Sequence, residues 1–241
     1  LLAATGRVWR ITWKDLSFVS LAAVFPNTGF MGVPLVVTMV GARAATPAVA
    51  IVLFDMVVTS SLSVATSTLD GHDWSKAGRA VRGALRGVAS NAMLWAILAG
   101  MAFAVLHVQP GVIWRQPIWM MADAATPVAL FTIGGILARP RVEGHPASHG
   151  DPTMPFVAAK LLAHPLLMWL VVQGALRAGW ALDVWVQHTL ILMAALPSER
   201  NVSFLAERMG GNAAWVARVI LWTTVGAFVT FTAWAWWLGP V

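Results

Sequence analysis

The sequence contains no cysteine and no tyrosine, and only 11% of its 241 residues are Asp, Glu, Lys or Arg. The absence of cysteine excludes a disulfide framework and any thiolate metal site. The shortage of charge excludes an ordinary water-facing surface, since soluble domains carry about 25% charged residues. Acidic side chains are the scarcer sign, 10 against 16 basic ones, which leaves a net charge of +6. Such a balance can mark a nucleic-acid binder, which needs a basic patch or stripe. Here the basic residues stand at the ends of apolar runs, so nucleic acid is not an expected partner. No nucleophile elbow, phosphate loop or metalloprotease motif occurs, and neither an enzyme nor a cofactor is expected. His145 and His149 lie in a Gly- and Pro-rich stretch, 144–155, without the further ligands that zinc requires, so no metal is expected either.

What is present is apolar sequence: 59% of residues are hydrophobic and the mean hydropathy is +0.73. A spanning helix needs roughly 20 apolar residues. The runs 16–40, 46–69, 87–108, 117–138, 155–176, 185–206 and 213–238 qualify, which predicts about seven spans. They form a single transmembrane unit over 1–241, with short polar links and no soluble domain. Arg7, Arg10 and Lys14 precede the first span, Lys76, Arg79, Arg82 and Arg86 follow the second, and Arg139 and Arg141 follow the fourth. The alternate links carry little: Arg43, Arg115, and Arg177 with Asp183. By the positive-inside rule this places the N-terminal end in the cytoplasm and the C-terminus outside, in a multi-pass protein of the inner (plasma) membrane. Trp9, Trp13, Trp74, Trp114, Trp180, Trp185, Trp236 and Trp237 fall near span ends, where indole rings prefer the headgroup level. Trp95 and Trp222 are expected in buried packing.

Two spans carry residues that a lipid-facing helix avoids. FPNTGFMGVPL, residues 25–35, puts Pro26, Asn27, Thr28, Gly29 and Pro34 in mid-span. ALPSERNVSFLAERMGG, residues 195–211, does the same with Pro197, Ser198, Glu199, Arg200 and Asn201. Each break precedes a Phe, a short helical stretch and a Gly-containing turn: Gly41 lies 15 positions after Pro26, and Gly211 lies 14 after Pro197. Unwound backbone at membrane depth is tolerable only where it lines a cavity. A pair of Gly/Pro-interrupted spans in corresponding positions therefore points to a transporter site. Pro26, Pro34 and Pro197 are the expected helix-breaking residues.

Asn27 and Thr28 are the leading substrate ligands, because an amide offers both donors and an acceptor. The plainer alternative is that Asn27 caps a half-helix. Asn201 has a similar standing by the echo, and Gly29, Pro34 and Ser198 complete the expected binding set. Arg200 is either the counter-charge of an anion, through its planar fork, or the partner of the adjacent Glu199. Asp55 lies mid-span, and intramembrane carboxylates are functional by default; a proton relay and a structural pair are both open. Asp123 and Lys160 sit nearer span ends, and Lys160 is long enough to snorkel to the interface. These three are the candidates for coupling to a proton or a sodium ion. Asn91 either caps its helix or lines the cavity.

FPNTGFMGVPL resembles the signature of the auxin efflux carrier family, which includes plant PIN-formed proteins and bacterial malonate carriers. DAATPVALFTIGGIL (123–137), AKLLAHPLLMWL (159–170) and ALPSERNVSFLAERMG (195–210) continue the resemblance in order along the chain. It implies ten helices in two inverted five-helix repeats, with the fourth and ninth broken and crossing. The present chain then corresponds to helices four to ten of an N-terminally truncated carrier. The implied activity is alternating-access transport of small organic anions, with dicarboxylates such as malonate the expected substrates. Auxin-like aromatic acids are an alternative substrate, and a receptor or scaffold without flux an alternative role. The resemblance also implies a homodimer in a lipid bilayer. Two positions depart from the family pattern: Asn91-Ala92 stands where relatives often have Asn-Pro, and Glu199-Arg200 where they often carry small neutral residues.

Overall fold

The computed structural model describes residues 11–59, 92–137 and 152–239, with 78, 82, 86 and 89 as isolated helical positions. Arg7, Arg10, Lys76, Arg79, Asn91, Arg139, Arg141, His145 and His149 lie outside the described residues. The chain is an all-α membrane protein: helix follows helix, and no strand occurs among the described residues. In chain order the helices are α1 Trp13–Val24, α2 Thr28–Val40, α3 Ala42–Thr59, α4 Ala92–Val105, α5 Val112–Leu137, α6 Thr153–Arg177, α7 Val184–Ala194, α8 Asn201–Arg208 and α9 Ala213–Leu238. Among the described residues, α3, α6 and α9 are long and apolar enough to cross a membrane. The apolar runs 16–40 and 185–206 are each divided, into α1 and α2 and into α7 and α8.

Two apolar clusters organise the packing. One holds Phe18 and Leu21 of α1, Phe156 and Leu161 of α6, Val202 and Ala206 of α8, and Trp215 and Val219 of α9. The other joins Val36 of α2, Val52 of α3, and Leu192 and Met193 of α7. The chain therefore changes cluster at each division: α1 to α2 passes from the first to the second, and α7 to α8 passes back. The two passages cross, and the polar residues of both divisions meet there.

Lipid offers no hydrophobic driving force between helices, so close approach and hydrogen bonds must hold this arrangement. At Gly226 of α9, an added Cβ would overlap Cδ1 of Leu161, so the missing side chain lets α6 lie against α9 backbone. Gly41, with φ of 101°, makes the reversal between α2 and α3 that a side chain would strain. At the far end of α1, Asp15 ties three elements. Its Oδ2 accepts from the Thr12 hydroxyl at 2.7 Å, and its Oδ1 accepts from the Asn212 N–H at 2.6 Å. Asn212 in turn caps α9 by accepting from Trp215 N–H at 2.9 Å. Asp15→Ala is expected to lower stability by about 1–2 kcal/mol, read as a lower melting temperature in detergent. An unchanged melt would show that the tie is idle.

Three turns widen to the i→i+5 pattern: Thr28–Gly32, Asp55–Thr59 and Ala159–Ala163. Two of them directly precede an in-helix proline, Pro34 and Pro165. Proline lacks an N–H and its ring clashes with the carbonyl four residues back; a wider turn removes both conflicts without ending the helix. Such turns concentrate at functional sites, and each of these three carries a buried polar residue: Thr28, Asp55 and Lys160.

Trp95 and Trp222 are 59% and 48% exposed, contrary to the buried packing expected of them. Trp222 shares the outer face of α9 with Val225, Phe228 and Val229, a lipid-facing position, while Val219 and Thr223 face inward. The buried indole is Trp215, edge-on to Phe156 at 5.6 Å. Arg43 lies over the Trp185 ring at 5.7 Å, so the first turn of α3 and the start of α7 lie at the same end of the described helices.

Candidate functional site at the crossing

The first division is dictated by Pro26. A residue before proline is pushed out of the helical region, and Phe25 is extended, with φ −91° and ψ 102°. The second follows from Pro197 in the same way: α7 ends at Ala194 and helix resumes at Asn201. Backbone groups released in a membrane interior must find partners. Here the two divisions supply each other. Asn27 N–H donates to Pro197 O at 2.8 Å, and Glu199 N–H donates to Phe25 O at 2.9 Å. Pro26 and Ser198 thus form one antiparallel bridge inside an otherwise helical protein.

Ser198 locks this bridge. Its hydroxyl donates to Ala22 O at 2.5 Å and accepts from the Thr223 hydroxyl at 3.0 Å, while its N–H donates to Thr223 Oγ1 at 3.3 Å. One serine therefore joins α1, the second division and α9, and its polar groups are taken up by protein. Asn27 is different. It is 4% exposed, yet its side-chain oxygen has no hydrogen-bond partner among the described residues. A buried unpartnered acceptor is costly and uncommon, and its presence calls for an explanation.

The first turn of α2 also has N–H groups to spare. Helices leave their opening N–H groups without intrahelical partners. Asn27 O serves Met31 and Gly32, Pro26 O serves Thr28, and Phe25 O serves Glu199. Among the described residues, the N–H groups of Gly29 and Phe30 make no bond to another element. At α8 the outcome is the reverse. Glu199 Oε1 accepts from Asn201 N–H at 3.3 Å, and the carbonyls of Glu199 and Arg200 accept from Val202 and Ser203. A carboxylate at a helix N-terminus is favourable, so this end is capped from within.

Ionisable groups surround the bridge. Asp55 of α3 is 7% exposed; its Oδ1 accepts from Thr59 Oγ1 at 3.2 Å, and the Thr28 side chain stands close enough to influence it. Lys160 of α6 is 0% exposed and therefore does not snorkel to the interface as its position near a span end suggested. The widened turn that holds it directs its ammonium to His164 Nδ1 at 2.7 Å and to Ala194 O at 3.3 Å. Ala194 O belongs to the last turn of α7, where carbonyls lack intrahelical donors and the dipole end is negative. Lys160 thus serves a group that the Pro197 division releases, and it also acts electrostatically on Asp55. Glu199, 5% exposed, is within electrostatic reach of both Arg200 and Asp55.

Arg200 does not form an ion pair with Glu199 among the described residues; its guanidinium lies over the Phe30 ring at 4.3 Å, joining the start of α8 to the first turn of α2. The structure brings together Pro26, Asn27, Thr28, Asp55, Lys160, Pro197, Ser198 and Arg200. Gly29 and Pro34 are half-buried in the opening turns of α2. Asn201 is exposed at the start of α8, and Asp123 is exposed on α5. His164 was not singled out from the sequence. Its signal was present, four residues after Lys160 and directly before Pro165, on the face that the widened turn aligns.

The family described as "Membrane transport protein" matches residues 78–235 of this chain. A protein of Rhizobium meliloti (strain 1021) described as "Putative malonate transporter" is 32% identical over 224 residues, which cover 92% of this chain and 67% of that protein.

Proposed function

This chain belongs to the membrane transport protein family, and from that premise we propose that it carries small dicarboxylates, malonate among them, through the crossing of the two divided helices. The observation that carries this reading is the buried amide of Asn27 placed at the N-terminal opening of α2, where helix N–H groups lack intrahelical partners. The Asn27 NH2 and the N–H groups of Gly29 and Phe30 would hold one carboxylate, at a helix N-terminus where negative charge is favoured. Arg200 would hold the other through the edge of its fork. Asn201 is left out of the set, since it is exposed and its N–H bonds Glu199. The name of the Rhizobium relative supports malonate as the first substrate to test.

Alternating access follows from the two clusters. In this reading α1–α2 and α7–α8 are the corresponding divided helices of an inverted repeat, and one cluster rocks against the other about the Pro26–Ser198 bridge. The test is uptake of labelled malonate into sealed vesicles carrying the protein. Saturable accumulation is expected, and Asn27→Ala should reduce kcat/KM by about tenfold or more, the loss of one hydrogen bond to a charged group. Transport at the unaltered rate in a well-expressed Asn27→Ala variant would sink the site. The Phe30 ring beside Arg200 favours one second reading, an aromatic carboxylic acid. Competition by indole acids stronger than by dicarboxylates would select it, and ligand binding without accumulation would mean a receptor.

A further inference from the structure

An anion entering the crossing meets charges that already balance. Two carboxylates, Asp55 and Glu199, face two cations, Lys160 and Arg200. His164 adds no charge: with the Lys160 ammonium as donor at 2.7 Å, its Nδ1 accepts and the ring is neutral. The other ionisable groups of the surrounding helices stand further off. His188 precedes Ala194 by six residues on α7, about 9 Å along the helix, and Arg218 precedes Thr223 by five on α9. Asp123 is exposed on α5, and α2 carries no ionisable side chain. A dicarboxylate would therefore bring two uncompensated negative charges to a membrane interior, where unpaired charge costs several kcal/mol.

Arginine is always charged and can offer nothing more, and the Lys160 side chain is already engaged by His164 Nδ1 and Ala194 O. A carboxylate can surrender its charge by taking a proton. Asp55 and Glu199 are both enclosed and act on each other electrostatically, so a further anion beside them bears directly on this pair. The amide oxygen of Asn27 completes the case. It is a buried acceptor without a donor among the described residues, and its residue lies between the two carboxylates: Thr28, the next residue, is close enough to influence Asp55, and Asn27 N–H bonds Pro197, two residues before Glu199. A protonated carboxyl is an O–H donor of the kind this acceptor lacks.

We propose that binding of a dicarboxylate at the crossing takes up a proton onto the Asp55–Glu199 carboxylate pair, making the protein a carrier that moves substrate and proton in the same direction. The proton comes from water on the entry side, forms an O–H bond on one carboxylate oxygen, and leaves to water on the exit side with the substrate. No other bond changes and no electron moves. Glu199 is suited to this because its carboxylate holds Asn201 N–H at 3.3 Å, a long bond that protonation loosens at the start of α8. The proposal deepens the reading of the crossing as an anion site and rests on it.

The test is calorimetric titration of malonate into the full chain in detergent between pH 7 and 9, where malonate carries both charges. Running it in buffers of different ionisation enthalpy counts the protons. Expected are about one proton taken up per malonate and a Kd that rises towards tenfold per pH unit, the linkage for one proton. Asp55→Asn combined with Glu199→Gln should still bind malonate but take up none. A flat Kd with no uptake would overturn the proposal and leave the anion site standing. Uptake that persists in the double variant would overturn the assignment to these carboxylates. No malonate binding at all would overturn the anion-site reading and the proposal with it. If the double variant fails to fold, infrared difference spectra of the unaltered protein decide: malonate must raise a protonated-carboxyl C=O band from the protein, and its absence overturns the proposal.

Discussion

Lys160→Met is expected to abolish transport and to destabilise the protein by about 3–5 kcal/mol, the range for removing one partner of a buried charge pair. The residue is fully enclosed, and its ammonium serves Ala194 O, His164 and the charge of Asp55. Methionine fills a similar volume but donates nothing. Asp55 is then left as an uncompensated buried carboxylate, and the end of α7 loses the donor at Ala194 O. The double variant Lys160→Met with Asp55→Leu separates stability from function. Replacing a buried ion pair by apolar groups is often neutral or stabilising, so the double variant should melt near the unaltered protein. Its transport should remain absent, because one carboxylate of the Asp55–Glu199 pair and the only fully buried basic side chain among the described residues are both gone. Thermal melting in detergent and malonate uptake in vesicles measure the two effects independently. A single Lys160→Met variant that melts and transports normally would show that the enclosed ammonium has no role.

The positions of the divisions were legible because they follow from local chemistry. Pro26 and Pro197 remove N–H groups and disfavour helical backbone before them, whereas Pro34, also expected to break its helix, is carried inside α2 by the widened turn before it. That the two divisions hydrogen-bond each other was less accessible, since Asn27 and Pro197 are far apart in the sequence and nothing local states their pairing. The span-end position of Lys160 suggested snorkelling. The widened turn at Ala159–Ala163 reverses that by turning the ammonium toward Ala194, and its sequence cause is Pro165. Glu199 and Arg200 are adjacent in sequence and of opposite sign, so mutual neutralisation stood open beside the anion's counter-charge as a reading of Arg200. Backbone geometry at the start of α8 separates them: the carboxylate finds Asn201 N–H, and the guanidinium finds the Phe30 ring across the crossing. Trp95 and Trp222 were misplaced because hydropathy does not tell a lipid-facing side of a helix from a protein-facing one; both are apolar.

Arg200→Ala is expected to raise the KM for malonate by about thirtyfold or more, corresponding to the roughly 2 kcal/mol or more lost on truncating a charge paired with a ligand. The guanidinium is positioned to bind without giving up its present contact. Phe30 covers one face of the plane at 4.3 Å, while a carboxylate takes the N–H groups at the edge, so stacking and binding are compatible. Phe30 then holds the fork ready, and Phe30→Leu should raise KM by about fivefold, the size of an exposed cation–π contact. Arg200→Lys keeps the charge but loses both fork and stacking, and should fall between the unaltered protein and Arg200→Ala. This order, measured as KM for malonate uptake in vesicles, distinguishes a ligand from a tether. If Arg200 only ties α8 to α2, then Arg200→Ala and Phe30→Leu remove the same single contact and should change transport equally, with KM for malonate untouched.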